Sequence, residues 1–147
     1  MNVEDYYIIG RKGRVRLHEK GGKEHEIPCH RLLDEYLEEY IKSVGIESDA
    51  KSPLFRSSTG NAAFLTNARL SPNDAYRMIR RRASAIGITA KIGNHTFRAT
   101  GITAYLKNGG RLEIAQQIAA HESPRTTGLY DRRSDDVSLD EIERIVL

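Results

Sequence analysis

The sequence predicts an α+β fold, a mainly helical single domain with a small three-stranded antiparallel sheet near its N-terminus. Two observations predict it. Residues 6–28 contain three short β-prone runs joined by two turns, and both turns contain two glycines. From His30 onward, apolar residues recur at helical spacing between recognisable helix-start and helix-stop signals. A chain of 147 residues also has the usual length of one domain.

The three predicted strands are short and close together in the sequence. The first spans Tyr6 to Ile9, and a glycine-containing turn follows it. In the second, Val15 and Leu17 alternate with polar residues, which is the pattern of a half-buried strand. The third covers residues 24–28 after a turn with two glycines. Because tight turns join neighbouring strands, we expect an antiparallel meander.

Helical patterns occupy most of the remaining chain. The first predicted helix stops at Gly45, and residues 46–61 are predicted to be loop. Ser71 is the expected N-cap of the second helix and Asn94 that of the third. Pro124 is expected to interrupt the helical pattern before Tyr130. Helices are predicted over residues 30–44, 71–86, 95–106, 112–120, 126–132 and 138–147.

Composition narrows the class of protein only moderately. The net charge of +3 and the pI of about 9.1 permit a nucleic-acid partner without requiring one. Basic residues are concentrated in 11–23 and 77–82, which is compatible with a DNA-facing side and equally with ordinary solvated charge. No apolar run is long enough to cross a bilayer. The single Cys29 cannot form an intramolecular disulfide, so we expect a reducing, cytoplasmic location.

Four residues in the second half of the chain carry groups suited to phosphate chemistry. His95 and Arg98 lie three apart on a predicted helix and therefore on the same face. A histidine moves protons or binds a phosphate oxygen, and the planar fork of an arginine matches phosphate. His121 follows the end of a later helix, and Tyr130 lies nine residues beyond it. Each residue alone is weak evidence, and their order and spacing are much more specific.

Together these stretches resemble the tyrosine recombinase, or phage integrase, family. The relevant segments are the His-Thr-Phe-Arg of residues 95–98, residues 118–123 around the second histidine, and residues 126–130 ending in tyrosine. The family also has a lysine in the turn between two strands of a small sheet, and Lys20 matches it, with Pro28 following. The resemblance covers essentially the whole chain and implies that residues 1–147 are the catalytic domain.

The resemblance implies an enzyme of site-specific DNA recombination and integration. It assigns Tyr130 as the nucleophile that forms a 3′-phosphotyrosyl bond with DNA. Arg98 would hold the phosphate oxygens, and His121 would bind one of them. Lys20 would protonate the leaving 5′-oxygen, and His95 would assist proton transfer at the tyrosine. Because the covalent bond conserves energy for rejoining, no ATP, metal or other cofactor is expected.

The resemblance also implies parts that the 147 residues do not contain. The family has a further catalytic arginine before the sheet, at a position that falls ahead of Met1, and a separate N-terminal DNA-clamping domain. We therefore expect a catalytic domain truncated at its N-terminal edge, with weak or no activity by itself. The expected partners are double-stranded DNA and other recombinase protomers. The protomers would be contacted through the apolar stripe of the helix predicted over 138–147. No membrane partner is expected.

Two other interpretations stay open at this point. One is a DNA-binding module without catalysis, or a degenerate integrase remnant, since one arginine of the family is missing. The other is a metal-dependent nuclease or other metalloenzyme using His25, Cys29 and His30, although neither zinc-finger spacing nor a carboxylate cluster accompanies them. A covalent DNA adduct would favour the recombinase, binding without an adduct the module, and inhibition by chelators the metalloenzyme.

Overall fold

A computed structural model describes residues 1–18, 22–59 and 64–131, which form two compact units divided between Lys91 and Ile92. No helix in these ranges is both long and apolar enough to cross a membrane. The strands are β1 Tyr6–Ile9, β2 Lys12–His18, β3 Glu24–Pro28, β4 Arg56–Ser58 and β5 Leu65–Arg69. The helices are α1 Arg31–Val44, α2 Pro72–Ala85, α3 Asn94–Lys107, α4 Leu112–Ala119 and α5 Pro124–Gly128, with a 3-10 turn at Val3–Asp5.

The first three strands form the predicted antiparallel meander, in the order β1-β2-β3. Val15 lies opposite Tyr6 on one side and Ile27 on the other, and its side chain is buried. The apolar residues that alternate with polar ones in β2 therefore lie on the face of the strand that points to the core. The α+β fold with a small N-terminal sheet is confirmed.

Helix α1 packs on this sheet through its apolar stripe. Leu37 and Ile41 are buried in a cluster completed by Val3, Val15, Ile46 and Leu54. The polar edge is fixed by Asp34, whose carboxylate accepts from the Tyr6 hydroxyl at 2.6 Å and from the Gly13 amide at 3.1 Å. Burial and the hydrogen bond to this carboxylate raise the pKa of Tyr6. A Cβ at position 13 would collide with the Asp34 side chain, so the close approach of this carboxylate to the β2 backbone requires glycine.

The predicted stop of α1 at Gly45 and the predicted cap of α2 at Ser71 are confirmed. Gly45 ends α1 in the left-handed conformation with φ 69°. His30, predicted as the first helical residue, is instead the N-cap of α1, and its Nδ1 atom accepts from the Leu32 amide at 3.3 Å. Ser71 Oγ accepts from the Asp74 amide at 3.1 Å at the start of α2.

The prediction of loop over residues 46–61 is wrong at Arg56–Ser58, which pairs with Leu65–Arg69 as a two-stranded hairpin. Polar side chains link these strands. The hydroxyls of Ser57 and Thr66 lie 2.7 Å apart, and the Arg56 guanidinium donates to Asn67 Oδ1 at 2.8 Å. Because the pairing depends on polar contacts, the segment shows no apolar alternation by which a strand is recognised.

The predicted bounds of two further helices differ from the structure, since α3 begins at Asn94 instead of His95 and α5 spans Pro124–Gly128 instead of 126–132. Gly93, not Asn94, is the N-cap of α3, and Thr96 Oγ1 accepts from its amide at 3.1 Å. Pro124 starts α5 instead of interrupting a helix, because a proline lacks only the amide that a first turn leaves unpaired. The helix predicted over 138–147 lies outside the described residues.

The second unit has its own small core. Ile102 and Leu106 of α3 pack against Ala115 and Ala119 of α4, and Leu106 is fully buried. Two alanines on the facing helix let the backbones approach closely. Tyr105, Leu112 and Tyr130 pack at the edge of this cluster.

Candidate active site

Arg98 projects from α3 towards the end of α4. Its Nη1 atom donates a 2.6 Å hydrogen bond to the carbonyl oxygen of Ala119, the last residue of α4. The last carbonyls of a helix carry partial negative charge, so this end attracts a cation. The bond uses one of the five N–H groups of a guanidinium, which carries its charge whatever else it binds.

A residue with a left-handed backbone conformation connects the end of α4 to His121. Ala120 has φ 50°, the only positive φ found at a non-glycine residue in the described ranges. The turn is closed by two bonds with Gln116, whose carbonyl accepts from the His121 amide at 3.1 Å and whose side-chain amide donates to the His121 carbonyl at 3.0 Å. Hydrogen bonds therefore hold both the amide and the carbonyl of the His121 backbone.

The imidazole of His121 stacks on the phenol ring of Tyr130. The ring centroids are 5.9 Å apart, and the planes meet at 24°. Tyr130 lies two residues after the end of α5, with its amide donating to the Thr127 carbonyl at 3.0 Å and its carbonyl accepting from the Thr103 hydroxyl at 3.2 Å. Tyr130 is thus held by both α3 and α5. Its half-buried side chain also lines an open depression of about 460 Å³ along α3.

The structure brings three of the five sequence-predicted site residues together, namely Arg98, His121 and Tyr130. His95 is exposed on the first turn of α3, one turn before Arg98, and among the described residues it makes no hydrogen bond to the other three. Lys20 lies outside the described residues. The structure describes both strands that flank it, β2 ending at His18 and β3 beginning at Glu24.

The residues of the metal-site alternative have separate structural surroundings. His30 caps α1, and Cys29 packs against the core of the first unit. Burial and the neighbouring charge of Asp34 raise the pKa of the Cys29 thiol. In residues 1–18, 22–59 and 64–131, no three histidine, cysteine or acidic side chains converge as a metal site would need.

Three residues that support the site had no assigned role in the sequence analysis. They are Thr103 and Gln116, which bond to the backbones of Tyr130 and His121, and Thr127, whose hydroxyl bonds to the His121 ring. Thr127 lies in the segment that carries the family resemblance, three residues before Tyr130. Its fully buried side chain is the signal that separates it from its exposed neighbour Thr126.

Known proteins similar to this chain are recombinases. The chain is 30% identical over 132 residues to tyrosine recombinase XerD of Staphylococcus saprophyticus, covering 88% of this chain and 42% of the relative. It is 28% identical over 139 residues to tyrosine recombinase XerC of Thermodesulfovibrio yellowstonii, with the same coverage. The chain thus spans about two fifths of the length of these curated relatives.

Solved recombinase structures share the fold. XerA recombinase superposes with a TM-score of 0.63 at 23% identity, over 89% of this chain and 44% of that one. XerH recombinase, solved bound to difH substrate before cleavage, gives a TM-score of 0.67 at 16% identity, over 98% and 39% of the two chains. The family profile of phage integrases matches residues 1–136. The chain therefore belongs to the phage integrase family, whose members similar to it are tyrosine recombinases.

Proposed function

We propose that residues 1–147 form the catalytic domain of a site-specific recombinase that cleaves and rejoins DNA through a 3′-phosphotyrosyl intermediate. The observation that supports this most strongly is the stacking of His121 on Tyr130, beside the end of α4 that Arg98 contacts. A phenol, an imidazole and a guanidinium in one helical unit supply a nucleophile, a hydrogen-bond donor and a fixed positive charge. Phosphoryl transfer requires these three functions.

In the proposed reaction the Tyr130 hydroxyl oxygen attacks the scissile phosphorus, and the bond from phosphorus to the 5′-oxygen breaks. The phenol proton passes to His95, and Lys20 gives a proton to the departing 5′-oxygen. A 5′-hydroxyl of another strand then attacks the phosphotyrosine, and the same proton transfers run in reverse. Each step replaces one phosphodiester bond with another, first to the tyrosine and then to a DNA strand. The cycle therefore needs no external source of energy.

Charge stabilisation is the second requirement. Negative charge grows on the non-bridging phosphate oxygens as the tyrosine attacks, and donors already in place lower the barrier. We assign Arg98 and His121 to these oxygens. By the family resemblance, a further arginine would come from a segment ahead of Met1. The extended protein, as used below, means residues 1–147 preceded by such an arginine-bearing segment.

Double-stranded DNA is the proposed substrate. The first unit has an open groove of about 580 Å³ between the β4–β5 hairpin and α2, and Arg56, Arg77 and Arg81 line it. Arg56 is anchored by Asp49 at 3.1 Å and Ser52 at 2.8 Å, while Arg81 is exposed. Arginines along a groove suit the phosphates of a duplex. The XerH structures, which share this fold, were solved bound to a difH substrate.

The test traps the covalent intermediate. The extended protein is incubated with a pool of nicked DNA duplexes of random sequence, and adducts are isolated on a denaturing gel and mapped by peptide mass. We expect the adduct on Tyr130, none with Tyr130→Phe, and an undiminished adduct with Tyr36→Phe, a control at an exposed tyrosine of α1. An adduct on any other residue would remove Tyr130 as the nucleophile.

Residues 1–147 alone provide a second measurement. Loss of one charge-stabilising donor costs roughly 100- to 1000-fold in rate, so we expect the adduct to form at least that much more slowly than in the extended protein. If the extended protein binds DNA and forms no adduct, the non-catalytic DNA-binding module is the better description.

A further inference from the structure

The hydroxyl of Thr127 touches the imidazole of His121. Thr127 Oγ1 and His121 Nδ1 are 2.9 Å apart, which connects α5 to the turn that follows α4. The Thr127 side chain is fully buried, whereas His121 is partly exposed. The Thr127 hydroxyl, which cannot reach water, therefore contacts the Nδ1 atom of the imidazole. The other ring nitrogen, Nε2, takes no part in this contact.

Burial decides the direction of this hydrogen bond. Among the described residues, His121 Nδ1 is the one hydrogen-bond partner of the Thr127 hydroxyl. If Nδ1 carried a hydrogen, it would donate to Oγ1 and leave the hydroxyl proton without an acceptor. A buried donor left unpaired costs about 1–3 kcal/mol. The stable arrangement has the hydroxyl donating to a bare Nδ1, and a neutral imidazole then carries its proton on Nε2.

Other contacts hold His121 beside the Thr127 hydroxyl. Gln116 holds the backbone of His121 on both sides, and Tyr130 stacks against the ring at a centroid distance of 5.9 Å. Ring inversion would exchange the nitrogen for a carbon opposite the hydroxyl and break the bond. The position of the ring and the direction of the hydrogen bond are thus set together.

We propose that Thr127 is a positioning residue that fixes the tautomer of His121 with the proton on Nε2. This inference rests on the proposed function for its consequence, since an Nε2–H group donates to a phosphate oxygen and a bare Nε2 repels one. The tautomer itself is a property of the 147-residue chain without DNA. Thr127 acts through His121 and is not placed against the substrate.

The first measurement is the tautomer, observed by long-range nitrogen–proton NMR of histidine-labelled residues 1–147. The pH is about 8, above the ordinary histidine pKa of roughly 6.5. The His121 signals are assigned by their loss in His121→Phe. We expect wild-type His121 to carry its proton on Nε2, and exposed His95 provides the reference for an averaged mixture of tautomers. A proton on Nδ1 of wild-type His121 would overturn the proposal, whatever the variants do.

Three variants isolate the hydroxyl. Thr127→Val removes it with little change of shape, and we expect the His121 signals to move towards the mixture seen for His95. Thr127→Ser keeps a hydroxyl and should keep the wild-type tautomer. Thr126→Val, at the exposed neighbouring threonine, is the matched control and should change nothing. If folded Thr127→Val keeps the pure Nε2–H form, Thr127 does not set the tautomer.

The covalent adduct assay of the extended protein then separates the inference from the proposed function. We expect Thr127→Val to slow adduct formation, by less than the roughly 100-fold expected when a donor is lost in His121→Ala. Thr127→Ser should restore the rate. If wild type gives no adduct at all, the proposed function fails, and the NMR result alone decides the role of Thr127.

Discussion

Arg98 donates a 2.6 Å hydrogen bond to the carbonyl oxygen of Ala119, two residues before His121. One interaction therefore fixes the guanidinium on α3 relative to the turn that carries the histidine. Because the carbonyl end of α4 attracts the positive charge, the guanidinium is oriented before any anion arrives. An orientation set in advance lowers the reorganisation required when charge develops on a bound phosphate.

The first prediction is that Arg98→Lys abolishes most DNA cleavage without unfolding the domain. A lysine keeps the charge but lacks the planar fork that binds two phosphate oxygens at once. We expect adduct formation in the extended protein to fall by roughly 100-fold or more. Thermal unfolding should change little, because Arg98 is exposed and a lysine still reaches helix carbonyls. Arg111→Lys, at an exposed arginine before α4, is the control.

The second prediction concerns the strained residue that aims His121. Ala120 has φ 50°, and the left-handed conformation costs a residue with a Cβ roughly 1–2 kcal/mol. We expect Ala120→Gly to raise the free energy of unfolding by about 1 kcal/mol, as measured by urea denaturation. The reverse exchange, Gly101→Ala inside α3, meets no atom within 4 Å and should stabilise by about 0.5–1 kcal/mol. A lower free energy of unfolding in Ala120→Gly would contradict the inference that the backbone of Ala120 is strained.

The third prediction concerns acid stability of the first unit. Asp5 is buried, and burial acts to raise its pKa. Hydrogen bonds from the Asn2 amide at 2.6 Å and from His18 at 3.0 Å outweigh burial and lower the pKa below its ordinary value. When the pKa of a carboxylate is lower in the folded state than in the unfolded state, the ionised group stabilises the fold at any pH above its unfolded pKa. This contribution is lost as the pH falls through the folded-state pKa.

Stability should therefore decline below about pH 4, where an unperturbed aspartate takes up its proton. Urea denaturation between pH 7 and about pH 3 measures this decline. We expect Asp5→Asn to be less stable than wild type at neutral pH and to show a shallower decline in acid. The exposed neighbour Glu4→Gln should behave like wild type. An equal acid slope in Asp5→Asn would exclude this carboxylate as the source.

The fourth prediction concerns Lys20, which lies outside the described residues. If it protonates the leaving oxygen, a substrate with a 5′-bridging sulfur needs it far less, because a thiolate leaves without a proton. Such a substrate should restore adduct formation to Lys20→Ala of the extended protein and leave Arg98→Ala inactive. Failure of both variants on this substrate would assign Lys20 to phosphate binding instead.

The elements that the sequence predicted well have local causes. The meander follows from alternation in β2, and α1 and α2 follow from an apolar stripe, the stop at Gly45 and the cap at Ser71. The β4–β5 hairpin was missed because polar contacts such as Ser57 with Thr66 join its strands, which show no apolar alternation. The tendency of such residues to form a strand depends on their cross-strand neighbours more than on their own type.

The candidate site shows the same division. Arg98, His121 and Tyr130 were found from their chemical type and spacing, and the structure brings these three together. The roles of Thr127 and Gln116 depend on burial and on backbone direction after α4, neither of which a spacing rule contains. Sequence thus predicted the candidate reactive groups, and geometry was needed to find the groups that contact them.

The last prediction concerns residues 138–147, which also lie outside the described residues. Their apolar residues, Leu139, Ile142, Ile145 and Val146, form one stripe if the segment is helical. A helix this short is marginal alone in water, so it needs a surface on which to dock. The surface is either its own domain or, by the family resemblance, a neighbouring protomer. Exchange of an identical element between protomers is a low-cost route to oligomers.

Deletion of 138–147 distinguishes the two, with sedimentation and thermal unfolding of both chains at matched high concentration. We expect the shortened chain to stay folded and to associate less than the intact one, because the exchanged helix is gone. If both chains are monomers and the shortened one is less stable, the helix docks on its own domain. If both are monomers of equal stability, the segment neither exchanges nor packs, and the hypothesis fails. A variant with Ile142→Asp alone should reproduce the deletion, since one charge interrupts the stripe without shortening the chain.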